Sequence, residues 1–469
     1  MTPDNFTTKG EPQLVDVVVT GAEIVTLDAE NRVISDGTIA VDGGRIVFLG
    51  EGEGGRAYRG RTTIDARGRI AMPGLIDAHF HTGQQLLRGK LQAIARKRPL
   101  KLPVWKNYLI PFESCLEPED VYLSGLVAYT NMIQVGTTCF AEAGGPHPDE
   151  MGRAAMDVGI RGFVSLSTVN QSENIGAEVP ANMLMTHDQA LERNVALVER
   201  WQSNERVKAW LSLRQVIVCS PELIRDISQA SRDLAVKIHT HLCEGSYEID
   251  YTLEKFGLRP TEWLETMQVL DHNLHCAHSV LLSPKEVDLY EKYQLSACHC
   301  GFNNYSIGHP RLIEMWKRGI AIGLGTDGPG SAGTLDLFQV AHVARVGQQA
   351  VNSAVFHQRE PISSEELLRI ATHGGARALG IFDEVGSLEV GKKADLLLCD
   401  TSHMDHAPIY DPLFVAASIL VGRDVETVVV DGKVVMQDRA MLGIDQEAIR
   451  AKLKERLPVI SERFERLVA

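Results

Sequence analysis

The chain has 469 residues, 44% of them hydrophobic, enough apolar surface for a large buried core and too much for a disordered chain. Lys and Arg total 47 against 61 Asp and Glu, a net charge of -14. That balance works against sequence-independent attraction to nucleic-acid phosphates or anionic membranes and favours a small-molecule partner.

Met1 to Gln13 is polar and lacks the apolar run of a secretory signal, and no later stretch approaches the ~20 apolar residues that span a bilayer. The expectation is a soluble, cytoplasmic protein. Residues 14 to 70 then read as short strands: Val17 to Val19, Glu23 to Leu27, Thr38 to Val41 and Arg45 to Leu49, the last two joined by Asp42-Gly43-Gly44. The same texture returns in Asp395 to Cys399, Glu426 to Val430 and Val434-Val435. One small β-sandwich assembled from both chain ends around a central insertion accounts for both.

The insertion, Pro73 to Leu379, alternates apolar strands with amphipathic stretches. Eight strand candidates follow in order: Leu75 to His79, Thr137 to Ala141, Gly162 to Leu166, Ala209 to Val216, Ala235 to His241, Asn273 to His278, Leu295 to His299 and Ile320 to Thr326. Helical patterns lie between them at Pro118 to Ile133, Asp188 to Gln202, Pro221 to Arg232, Pro284 to Lys292 and Leu312 to Arg318. Such alternation predicts an α/β fold, a (β/α)8 TIM barrel. The expected division is 1–70 and 385–440 for the two parts of the sandwich, 71–384 for the barrel and 441–469 for a C-terminal helix.

A barrel carries its chemistry at the C-terminal ends of its strands. His79 and His81 close the first strand, and alternation points both imidazoles to one side. His241 ends the fifth strand, His278 the sixth and Asp327 the eighth. Imidazole nitrogen and carboxylate oxygen suit zinc, so His79, His81, His241 and Asp327 are the candidate ligands of one divalent metal. A lone histidine at such a position is ordinarily just a satisfied polar residue, as expected for His147 and His187; agreement across several strand ends is what points to a metal. Glu244, three residues beyond His241, is placed to move a proton between water and a leaving nitrogen, although a glutamate at a helix start is also favoured by the helix dipole.

Other signals are weaker. The eight cysteines, spread from Cys115 to Cys399, contain no C-x-x-C pair, so neither a disulfide framework nor a thiolate zinc site is indicated. Gly52 to Gly55 and Gly328-Pro329-Gly330 lack phosphate-loop spacing and read as turns. The H-x-E with P-C-x-x-C pattern of nucleic-acid base deaminases is absent, as is a G-x-S-x-G nucleophile elbow.

On these residues the chain resembles the amidohydrolase superfamily, in the branch of S-adenosylhomocysteine/methylthioadenosine deaminases, guanine and cytosine deaminases and triazine hydrolases. The resemblance spans nearly the whole chain. Its most specific pieces are Pro73 to His81 with Leu86-Leu87-Arg88-Gly89, His241 to Glu244, Ala277-His278, Gly325 to Gly328, and Gly386 to Leu396. It implies one zinc or iron on the matching histidines and aspartate, a proton shuttle at Glu244, a water- or substrate-orienting His278, and an Asp327 that also deprotonates water. It implies a substrate contact at Glu113 and makes a homodimer the expected assembly.

The departures bear on the substrate. Arg214 stands where the family's deaminases carry a substrate-binding histidine, and an arginine favours a carboxylate or carbonyl partner. The seventh strand reads His299-Cys300-Gly301-Phe302-Asn303-Asn304 in place of H-N-P-x-S-N, and Ser331-Ala332-Gly333 replaces Ser-Asn-Asn. No lysine near Arg214 offers a two-metal bridge, and Glu142 is expected in a buried hydrogen-bonding role. The expected reaction is hydrolytic deamination of a planar nitrogen heterocycle, with Arg214, Glu113, Trp105 and Asn304 shaping recognition. The rival readings are expulsion of chloride, an alkylamine or a ring amide nitrogen by the same site, and a non-catalytic metal-binding protein.

Overall fold

The computed structural model describes residues 11–172, 178–357 and 361–469, so most of the polar opening segment lies outside the described residues. The chain begins with β1 (Gln13–Val25), antiparallel to β2 (Val33–Asp42), which turns back as β3 (Arg45–Glu51). The two strands expected within Val17 to Leu27 are one strand with a bulge. Its register against β2 slips on either side of Ala22, beside Gly21 at φ +78°. The bulge switches the inward parity, so Val17 and Val19 before it and Ala22 and Ile24 after it all join one core with Ile39 and Val41.

β4 (Tyr58–Asp65) adds parallel to β1, and β5 (Arg69–Pro73) leads into the central region. β4 escaped the sequence reading because its residues are mostly polar and exposed, with only Ile64 buried. It is held by the ladder to β1 rather than by an apolar face.

The central region carries β6 (Leu75–Phe80), β7 (Thr137–Glu142), β8 (Arg161–Val164), β9 (Val207–Ala209), β10 (Leu211–Gln215), β11 (Ile238–Leu242), β12 (Leu274–His278), β13 (Ser296–Cys300) and β14 (Ala321–Gly325). Two parallel sheets result, β6 to β9 and β10 to β14. β9 and β10 are successive pieces of one expected strand, interrupted at Trp210, whose ring stacks on Phe163 at 4.4 Å. Backbone bonds bridge both seams: Trp210 N–H donates to Val164 O at 3.0 Å and Arg214 N–H to Thr168 O at 3.1 Å on one side, and Asp327 N–H to His79 O at 3.0 Å on the other. The arrangement is a TIM-barrel-like α/β fold. Its strands are buried along their whole length, and polar residues they carry, such as His239, His275 and Ser296, are hydrogen-bonded inside.

Local chemistry starts the intervening helices. Ser220 caps Pro221–Leu234 by accepting from Leu223 N–H, and Ser283 with Glu286 forms a reciprocal capping box on Pro284–Lys292. In both, proline occupies the first turn, where its missing N–H costs nothing.

β15 (Leu396–Asp400), β16 (Val425–Val430), β17 (Lys433–Gln437) and β18 (Ala440–Met441) complete a mixed nine-stranded sheet containing strands from both chain ends. β15 lies antiparallel to β5, pairing Leu396 with Pro73, so entry to and exit from the central region are neighbours. Hydrogen bonding makes this one continuous sheet rather than two separate ones. The final helix, Gln446–Val468, buries Phe464 edge-on against Phe112 at 5.3 Å, and its Arg456 pairs with buried Asp120 at 2.8 Å. All eight cysteines are free. Among the described residues no helix is long and apolar enough to cross a membrane.

Candidate active site

β6, β11, β12 and β14 deliver their end residues to one buried point. His79 Nε2 lies 3.2 Å from Asp327 Oδ1, His81 Nε2 3.6 Å from the same oxygen, and His81 Nε2 3.3 Å from His241 Nε2. Each of these four residues is at most 6% exposed. Burial drives the imidazoles toward the neutral form: it holds His79 down to about 4 and His81 and His241 well below their ordinary value. Burial alone would raise the Asp327 carboxyl, but hydrogen bonding to His79 and neighbouring positive charge hold it below the carboxylate range.

The outer ring atoms are held as well. His241 Nδ1 sits 2.7 Å from Arg214 O, an acceptor only, so that nitrogen carries the proton and Nε2 keeps its lone pair. His79 Nδ1 meets His239 Nε2 at 2.9 Å. His81 Nε2 faces the His241 Nε2 lone pair at 3.3 Å beside the Asp327 carboxylate, a cluster of donor atoms that a cation would satisfy. His81 Nδ1, buried with no hydrogen-bond partner, belongs to the same ring pair. The donor set of nitrogens and one oxygen therefore fits a divalent metal of the zinc type. A second trio, His79, His278 and Cys300, also brings its donor atoms within 4.8 Å of one another, but it shares His79 with the first.

Around this point lies a cavity of about 590 Å³. His81, His241, Glu244, His278 and Asp327 line its floor, with Trp105 and Tyr247 on the wall, their rings 6.2 Å apart. Glu244 accepts from Gln215 Nε2 at 3.1 Å, and burial raises its carboxyl pKa. His278 Nδ1 faces Asn304 Oδ1 at 3.1 Å, while Asn303 Nδ2 donates to Asp327 Oδ2 at 2.7 Å. His278 and Asp327 both take left-handed backbone conformations, φ 67° and 57°, at the turns where their strands end. Such conformations cost about 1 kcal/mol each and concentrate at functional sites.

The residues expected to shape recognition separate into two groups. Arg214 and Trp105 line the cavity. Glu113 and Asn304 are buried behind it: Asn304 bridges His278 and His299, and Glu113 forms a two-point ion pair with Arg214 at 2.5 and 3.2 Å. His147 and His187 lie apart from the cluster, against Leu116 O at 3.3 Å and Asp226 at 2.9 Å. Glu142 binds Thr82 through that residue's backbone N–H at 2.8 Å and its hydroxyl, a hydrogen-bonding role beside the site.

Four contributors went unnoticed in the sequence. His239 shares a strand face with His241, so the H-x-H spacing on β11 was the available signal. Asp77 accepts from Thr326 N–H at 3.0 Å and its hydroxyl at 2.6 Å, tying β6 to β14, and burial pushes its carboxyl up to about 7. Gln215 and Asn303 carried no signal, because only packing places an amide next to a particular carboxylate.

Comparison with known proteins gives the family. The amidohydrolase family profile matches residues 70–435, and the chain belongs to that family of hydrolases. It is 28% identical to a 5-methylthioadenosine/S-adenosylhomocysteine deaminase of Acetivibrio thermocellus, over 94% of this chain and 98% of that one. Among solved structures it resembles an adenosine deaminase from Xanthomonas campestris with bound zinc, with TM-score 0.87, 25% identity and coverage of 96% and 99%. It also shares its fold with triazine hydrolase from Arthrobacter aurescens, with TM-score 0.82, 23% identity and coverage of 94% and 99%.

Proposed function

We propose that this chain is a metal-dependent hydrolytic deaminase of a planar nitrogen heterocycle, and that His79, His81, His241 and Asp327 hold one divalent cation, preferentially zinc. The observation that carries the reading is the meeting of three imidazoles and one carboxylate at one point, of which His81, His241 and Asp327 line a cavity that also presents Glu244 and His278. The relatives named as deaminases, and the zinc in the adenosine deaminase structure, support it.

A cation held there supplies Lewis-acid chemistry and lowers the pKa of a bound water toward ~7. The protein's own groups do the rest. Glu244, whose carboxyl burial shifts toward the protonated form, gives a proton to the ring nitrogen beside the amino-bearing carbon. Asp327 takes the proton that water gives up as it attacks that carbon. His278, fixed by Asn304, hydrogen-bonds the new hydroxyl. Glu244, left unprotonated by the first transfer, takes the proton of the new hydroxyl as the carbonyl forms and passes it to the departing nitrogen; ammonia leaves, and the proton held by Asp327 restores Glu244. Trp105 and Tyr247 supply aromatic surface for a flat ring.

The test is a screen of the zinc-loaded enzyme against aminopurines, pterins, aminopyrimidines and aminotriazines, scoring ammonia against loss of the exocyclic amine. Stoichiometric ammonia supports deamination. Release of chloride, an alkylamine or a ring-opened product in its place assigns the other hydrolytic outcome.

A further inference from the structure

The charge of the substrate can be read from the pair that closes one side of the cavity. Among the described lining residues, Arg214 is the one lysine or arginine. Taken alone it would attract a carboxylate or phosphate. Its guanidinium is already committed: Nη1 and Nη2 donate to the two oxygens of Glu113, and Nη1 also donates to Ser167 Oγ at 2.9 Å. Glu113 is equally occupied, since Oε1 also accepts from Gln84 Nε2 at 2.9 Å. Both side chains are nearly inaccessible, at 3% and 1% exposure.

A bidentate pair this deeply buried satisfies both charges, and separating them would leave two uncompensated ions out of water. Six apolar side chains, Leu91, Leu100, Leu102, Val104, Leu109 and Ile307, also line the cavity. Leu102 is 79% exposed, which carries the apolar lining out to solvent.

We propose that Glu113 is a specificity determinant that acts by neutralising Arg214, so that the site takes an uncharged heterocycle bearing an apolar substituent and discriminates against carboxylate- or phosphate-bearing ones. This rests on the deaminase reading for the kind of ring, but its test does not depend on turnover. A charged substituent would exchange water for these apolar side chains without gaining a free cation, whereas a neutral one loses nothing there.

Benzamide and benzoate, flat rings of the same shape that differ in charge, serve as probes, with affinities for the metal-loaded enzyme measured by calorimetry. The wild-type protein should bind benzamide more tightly than benzoate. In Glu113→Gln, which keeps the side-chain shape and frees the guanidinium, benzoate affinity should rise at least about tenfold with little change for benzamide. The gain should disappear in the double variant Glu113→Gln, Arg214→Met. Tighter benzoate than benzamide binding by the wild type, no benzoate gain in a folded Glu113→Gln protein, or a gain that survives loss of Arg214 would each overturn the proposal. If Glu113→Gln does not fold, the wild-type preference decides alone. Failure of the deaminase reading would appear separately, as absence of ammonia in the screen.

Discussion

His79 and Asp327 meet twice across the seam between β6 and β14: Nε2 lies 3.2 Å from Oδ1, and the Asp327 backbone N–H donates to His79 O at 3.0 Å. The second contact joins the two strand ends at the height where the first gathers donor atoms. The closure of the fold and the construction of the donor set are therefore one feature, reinforced a layer below by Asp77 and Thr326.

Removing a ligand should remove the metal before it removes the fold. His241→Ala and Asp327→Ala are expected to purify with little zinc by elemental analysis and to lose the thermal stabilisation that added zinc gives the wild type. A full metal complement in both variants would refute the assignment.

Glu244 tests the proton shuttle apart from the metal. Glu244→Gln keeps an acceptor for Gln215 but cannot give up a proton, so turnover should fall by about 10²–10⁴-fold with bound zinc unchanged. Wild-type kcat in the metal-loaded variant would remove Glu244 from the chemistry.

Glu142 carries a pH signature. Burial pushes its carboxyl up to about 8, against the hydrogen bonds from Thr82, whereas an unfolded glutamate titrates near ~4.3. Across that window the folded chain keeps a proton that the unfolded chain has lost. The stabilisation from this group is full below the lower value and is lost as pH rises toward about 8. Glu142→Gln cannot ionise, so melting temperatures measured across the window should decline less steeply than in the wild type; parallel declines would show that Glu142 does not titrate in this way.

Phe464 links the last helix to the Arg214–Glu113 pair behind the cavity, because its ring packs on Phe112, the neighbour of Glu113. Phe464→Ala should cost about 3–5 kcal/mol, while Leu467→Ala, at a half-exposed position of the same helix, should stay within ~0.5 kcal/mol. Chemical denaturation of both variants checks the contrast, and equal losses would mean that the helix is not anchored through Phe464.

The sequence by itself determined the strands, the helices between them and the end-of-strand residues. Inward parity places His79 with His81, and short strands recur between amphipathic stretches, so both leave marks on the local pattern. Polar β4 left none, and the bulge at Gly21 made one strand look like two, because ladder bonds and a single left-handed glycine have no periodicity. Only the tertiary structure decided that Asn303 serves Asp327 while Asn304 serves His278, that Gln215 holds Glu244, and that the charge of Arg214 is spent on Glu113. Those outcomes depend on distances between residues remote in the chain, and a side chain's type states what it can bond to, not which partner packing brings within reach.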